Sequence, residues 1–150
     1  IGDIAHAEGY DTTAEGNYSH AEGYQTKATA GRAHAEGHAT TASNSCAHAE
    51  GSTTTASGEN SHAEGFKTFS NAKNSHAEGS RTIAKGVYSH AEGGNTTAFG
   101  RYSHAEGGSN TQTPDNISSK STLEEILTER NKNKFNNILF NNSNNIVVKK

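Results

Sequence analysis

The sequence has no methionine and no tryptophan, one cysteine, one proline, and only 29% apolar residues among its 150. Each shortage removes a class of protein. Much of the apolar share is alanine, so an ordinary globule of this length would lack the buried area that offsets chain entropy. The lone cysteine, Cys46, leaves no disulfide framework within the chain. No run of about 18 apolar residues occurs, so nothing reads as a membrane-spanning helix. No secretory leader is legible, and the chain opens in mid-repeat, as a segment of a longer protein would. Lys and Arg total 13 against 16 acidic residues, for a formal net charge of −3, and the basic residues form no stripe. Charge therefore makes no case for a nucleic-acid or membrane-surface partner.

What is there is small and polar: 16 glycines, with many threonines, serines and asparagines. That composition by itself describes a disordered chain. Repetition argues otherwise. The letters HAEG begin at His6, His20, His34, His48, His62, His76, His90 and His104, always fourteen residues apart. With histidine as the first place, the seventh is threonine in seven units, the ninth is alanine or serine, and the fourteenth is alanine or serine. Stacked repeats share a core that one copy cannot build.

The pattern has period two, not the period of a helix. Glycine at the fourth place and often at the eleventh suits two short strands joined by two tight turns. Alternation then sorts the side chains. The expected interior of a narrow coil is Ala7, Thr12, Ala14, Ala21, Thr26, Ala28, Ala35, Thr40, Ala42, Ala49, Thr54 and Ala56, with their later equivalents. An outer column varies freely: Thr13, Lys27, Thr41, Thr55, Phe69, Ile83, Thr97.

The other outer face does not vary. It carries His6 and Glu8, His20 and Glu22, His34 and Glu36, His48 and Glu50, His62 and Glu64, His76 and Glu78, His90 and Glu92, and His104 and Glu106. A face that only met water would drift as its neighbour does. The simplest partner with the same spacing is another copy of the coil. Three parallel chains would set a ring of three histidines beside a ring of three glutamates at every turn. A buried charge must be paired, so the expected seam is a histidine–glutamate hydrogen-bond ladder that also guards register.

The framework S-x-A-x-G followed by A-x-G, over residues 2–108, resembles the fourteen-residue head repeats of trimeric autotransporter adhesins, the YadA-like haemagglutinin repeats. Similar repeats occur in phage tail-fibre proteins. The resemblance implies an all-β, left-handed parallel β-roll solenoid, a homotrimer, and an extracellular, cell-surface or virion setting. One departure stands out: the family's two apolar residues align with histidine and glutamate here, beginning with His6 and Glu8.

Sharper chemistry is weighed against this. Three imidazoles at one height could take up adventitious Zn²⁺ or Ni²⁺, but no cofactor is implied. General acid–base catalysis would need a distinctive turn, a nucleophile and a pocket, and none is legible, so the chain does not read as an enzyme. The G-G-x-G-x-D pattern of calcium rolls is absent. The threonine column faces inward, which argues against ice binding. Aromatic residues at the turns (Tyr10, Tyr24, Phe66; Tyr18, Tyr88, Tyr102) could touch a host-surface protein or glycan, or cover turn backbone.

The eighth unit decays near Pro114. The expected organisation is a repeat domain over 1–110, a linker over 111–120, and a C-terminal cap over 121–150. That cap reads as a short helix with a capping box at Ser121 and Glu124 or Thr122 and Glu125, then two short strands around an asparagine-rich turn. It would close the open end of the solenoid. The function expected is a trimeric structural or adhesion module, with a phage receptor-binding fibre segment or a filament subunit as alternatives.

Overall fold

A computed structural model of the chain describes residues 2–108 together with Thr111–Gln112. Within them the chain is a parallel β-solenoid with a fourteen-residue period, and no described residue is helical. The strands are β1 (His6–Tyr10), β2 (Thr13–Ala14), β3 (His20–Tyr24), β4 (Lys27–Ala28), β5 (His34–His38), β6 (Thr41–Ala42), β7 (His48–Ser52) and β8 (Thr55–Ala56), continuing as β9 (His62–Ala63), β10 (Phe69–Ser70), β11 (His76–Ala77), β12 (Ile83–Ala84), β13 (His90–Ala91), β14 (Thr97–Ala98), β15 (His104–Ala105) and β16 (Thr111–Gln112). The odd-numbered strands form one eight-stranded sheet and the even-numbered strands the other, each in sequence order. Because the pairing step equals the repeat, every residue lies beside its own equivalent: His20 beside His34, Glu22 beside Glu36, Ala28 beside Ala42.

The interior is a double column of small side chains. Ala21, Ala28, Ala35, Ala42, Ala49 and Ala56 are fully buried, as are Thr26, Thr40 and Thr54, and Ala14 closes the first turn. A buried methyl contributes about 0.8 kcal/mol, whereas ordering one residue costs about 1–2 kcal/mol. One turn with two such alanines therefore cannot fold alone. The inter-turn hydrogen bonds and the contacts of stacked neighbours must hold it. Ala7 and Thr12 depart from the expected interior: Ala7 is exposed and Thr12 half-buried. They belong to the first rung, which has no complete turn on its outer side to cover them.

The corners carry a feature that composition did not announce. Every seventh residue from Ile4 to Tyr102 is left-handed, with φ between 53° and 61°, and all fifteen are non-glycine. At the start of each strand the N–H points to the following turn, as in His20 N to Ala33 O and Lys27 N to Thr40 O, both 2.9 Å. At the left-handed corners it points back: Gln25 N donates to Tyr10 O at 2.8 Å and Arg32 N to Asn17 O at 2.9 Å. The corner conformation is thus set by the ladder on both sides of it. At the second corner an i to i+3 bond closes a turn, as in Ser61 N to Gly58 O at 3.2 Å, and the Ser61 hydroxyl donates to the same carbonyl at 2.7 Å.

The eighth unit keeps its second strand. Thr111 pairs with Thr97 and Gln112 with Ala98, so the ladder runs past the expected boundary at 110 into the segment read as a linker. Backbone pairing needs no alanine at that place, which is why the loss of sequence phasing did not end it. The remainder of the expected linker and the whole expected cap over 121–150, with its helix and strands, lie outside the described residues.

Candidate functional site

The repeat brings the eight histidines into one column on the outer face of the odd-numbered sheet. From His20 to His104 consecutive rings are stacked, with centroids 4.6–4.9 Å apart and planes within 9°. Only the first pair is tilted, His6 to His20, at 33°. A strand spacing of about 4.8 Å leaves flat rings no better arrangement.

The glutamates run alongside, and their partner changes along the rod. Nε2 of His6, His20 and His34 lies 3.7–3.8 Å from the glutamate two residues on, namely Glu8, Glu22 and Glu36. From His48 onward the paired carboxylate belongs to the preceding turn: Glu36 at 3.9 Å, Glu50 to His62 at 3.4 Å, Glu64 to His76 at 3.7 Å, Glu78 to His90 at 3.3 Å and Glu92 to His104 at 3.1 Å. Only the last is a hydrogen bond, donated by His104 in the tautomer with its proton on Nε2. Within one chain, then, the face is a stack of imidazoles beside a row of carboxylates, and the ladder expected from sequence is hydrogen-bonded at one rung among the described residues.

Nε2 of His20, His34, His48, His62, His76 and His90 is shielded from solvent and has no hydrogen-bond partner among the described residues. The side chains as a whole stay partly open, most at the first rung: those of His6 and Glu8 are 62% and 70% exposed, those of His62 and Glu50 34% and 32%. Burial, reinforced by the neighbouring rings of His62 and His34, lowers the His48 pKa below its ordinary value. The same causes, with His62 and His90 as neighbours, lower that of His76. His48 and His76 therefore favour the neutral form, which stacks without repulsion and keeps a lone pair for a donor or a metal.

Beside the carboxylates runs an open groove of about 420 Å³ lined by Glu50, Gly51, Glu64, Gly65, Glu78, Gly79, Glu92 and Gly93. Its glycines have φ between 96° and 102°. A Cβ on Gly51, Gly65 or Gly79 would stand 2.2–2.3 Å from the next glycine's carbonyl oxygen. The fourth place of the repeat is glycine for that reason, and the absent side chains are what leave the carboxylates accessible from one side.

The threonine column lies inside, at 0% exposure from Thr26 to Thr96. The turn aromatics form short stacks, Tyr10 on Tyr24 at 5.0 Å, Tyr24 on His38 at 5.2 Å, and Tyr88 on Tyr102 at 5.0 Å. Sequence reasoning paired each histidine with the glutamate two residues on. It missed the glutamate twelve residues back, although the fixed period contains that spacing. It also missed the glycine-floored groove, which depends on how far the fourth place turns from the strand. Comparison of the chain with protein-family models, with curated proteins and with solved structures found no match.

Proposed function

We propose that this chain is a non-enzymatic structural or adhesion module in which three copies of a left-handed roll set their histidine–glutamate faces around one axis. The observation that carries this reading is the contrast between two outward faces of one solenoid. One column changes at nearly every turn, from Thr13 and Lys27 to Phe69 and Ile83. The other keeps histidine and glutamate at all eight, although its carboxylates are partly open to water and its imidazole Nε2 atoms mostly lack hydrogen-bond partners among the described residues. Invariance on an outer face, with hydrogen-bonding capacity left over, fits contact with an identical face. The fixed spacing lets identical chains meet in register. An extracellular, cell-surface or virion setting, with a host-surface protein or glycan as target, accords with the resemblance of the repeat to adhesin heads and tail fibres.

Light scattering on the purified protein at neutral pH tests the assembly. The expected mass is three times the 15.8 kDa chain. A folded monomer at that pH would remove the reading.

A further inference from the structure

Among the described residues, five places on the histidine–glutamate face gather three ligating groups from a single chain, and two of them are Glu50, His62 and Glu64 and, one repeat beyond the next, Glu78, His90 and Glu92. In each of these two, one nitrogen and two carboxylate oxygens lie within 4.8 Å of one another. We propose that these two clusters bind divalent first-row transition-metal ions of the zinc or cobalt class, one ion each.

The argument starts from the nitrogen–oxygen separations. His62 Nε2 stands 3.4 Å from Glu50 Oε1, and His90 Nε2 stands 3.3 Å from Glu78 Oε1. These are long for a hydrogen bond, and neither pair makes one. They match the edge of a tetrahedral coordination shell: metal–nitrogen and metal–oxygen bonds of about 2.0–2.2 Å, opened to the tetrahedral angle, separate two ligand atoms by about 3.3–3.5 Å. Both Nε2 atoms are shielded from solvent and have no hydrogen-bond partner among the described residues. One imidazole with two carboxylates suits zinc or cobalt, whereas calcium and magnesium prefer oxygen alone. The groove on the glycine side gives an ion a way in and leaves space for a water as fourth ligand.

Charge and sharing choose these two clusters among the repeats. The intervening cluster, Glu64, His76 and Glu78, would take one carboxylate from each of them. Filling every cluster would place dications about 4.8 Å apart on shared carboxylates. Filling alternate ones gives each dication its own two carboxylates, so each site is neutral and the ions stand about 10 Å apart. The His76 pair is also wider, at 3.7 Å, the pairs of the His34, Glu36 and His48 cluster are wider still at 3.8 and 3.9 Å, and the Glu92, His104 and Glu106 cluster would share Glu92 with the second site.

Every ligand comes from one chain, so the sites do not depend on the trimer. The test uses the full chain, titrated with Co²⁺ and followed by the visible d–d band and by equilibrium dialysis, with light scattering on the same samples. The expected result is two cobalt ions per chain in a tetrahedral-type spectrum. The double variant H62Q/H90Q should bind more than tenfold more weakly, and H76Q should keep both ions. Circular dichroism of the variants checks the roll, and the unaltered chain's spectrum tests the sites without any substitution. No band at millimolar free cobalt, or equal loss in H76Q and H62Q/H90Q, overturns the proposal. A trimer without uptake defeats this inference alone; a monomer with uptake defeats only the assembly.

Discussion

Gly23 shows at the residue scale how little freedom the fourth place has. Its φ is +116°, and a Cβ there would lie 2.2 Å from the Gly37 oxygen. Gly23→Ala should destabilise the roll by about 3 kcal/mol or more, combining a backbone conformation closed to alanine with an overlap onto ladder backbone. Gly94, one place further along the repeat, has nothing within 4 Å of a built Cβ. Gly94→Ala should stay within about 0.5 kcal/mol of the parent. Denaturant midpoints of the two variants check the pair, and equal effects would contradict the turn geometry. Thr53 is the opposite case, a β-branched residue held at φ +59° with its N–H bonded to the His38 carbonyl at 2.8 Å. Left-handed conformation costs an ordinary residue about 1–2 kcal/mol, and asparagine tolerates it better. Thr53→Asn should therefore stabilise by about 0.5–1 kcal/mol; a fall in melting temperature would show that this corner is not left-handed.

At the scale of the element, the histidine column is a pH-sensitive stack. The His48 and His76 pKa values lie below the ordinary 6.5 in the folded chain. Between the lowered value and about 6.5 the unfolded chain binds more protons than the folded one, so stability rises with pH across that window. The contribution is fully present above about 6.5 and is lost as pH falls through the lowered pKa. The denaturation midpoint should drop between neutral pH and about pH 5, and His76→Gln should flatten that slope. A midpoint that rises on acidification would mean that the imidazoles gain protons on folding. The strands around the column show why its chemistry was only half legible. Parity placed His20 and Glu22 outward and Thr26 and Ala28 inward, because a strand has period two and a repeat of fourteen preserves it. Parity does not choose between the two glutamates that a stacked histidine can face.

At the scale of the whole molecule, the proposed assembly asks for a partner whose groups recur at every turn. In the proposed trimer, acidification well below the ordinary glutamate value of about 4.3 removes the carboxylate charge while the histidines become cationic. The axis would then repel itself, and the mass by light scattering should fall at about pH 3. An unchanged trimer at that pH would place the carboxylates and imidazoles away from a closed axis.

The sequence by itself determined the period, the all-β character, the division into inward alanine and threonine columns and outward histidine and glutamate columns, and the shared face of the eight HAEG motifs. These follow from local alternation multiplied by an unbroken fourteen-residue step. Only the tertiary structure decided the rest. The left-handed corners fall on Ile4, Thr53 and Lys67, residues with no preference for that conformation, because neighbouring turns dictate where each corner N–H must point. The exposure of Ala7 depends on what covers the first rung, and the extension of the ladder to Gln112 depends on backbone pairing that any side chain can make. The separations of 3.4 and 3.3 Å at His62 and His90 arise where one turn lies on the next, a contact between residues twelve apart that alternation along one strand does not select.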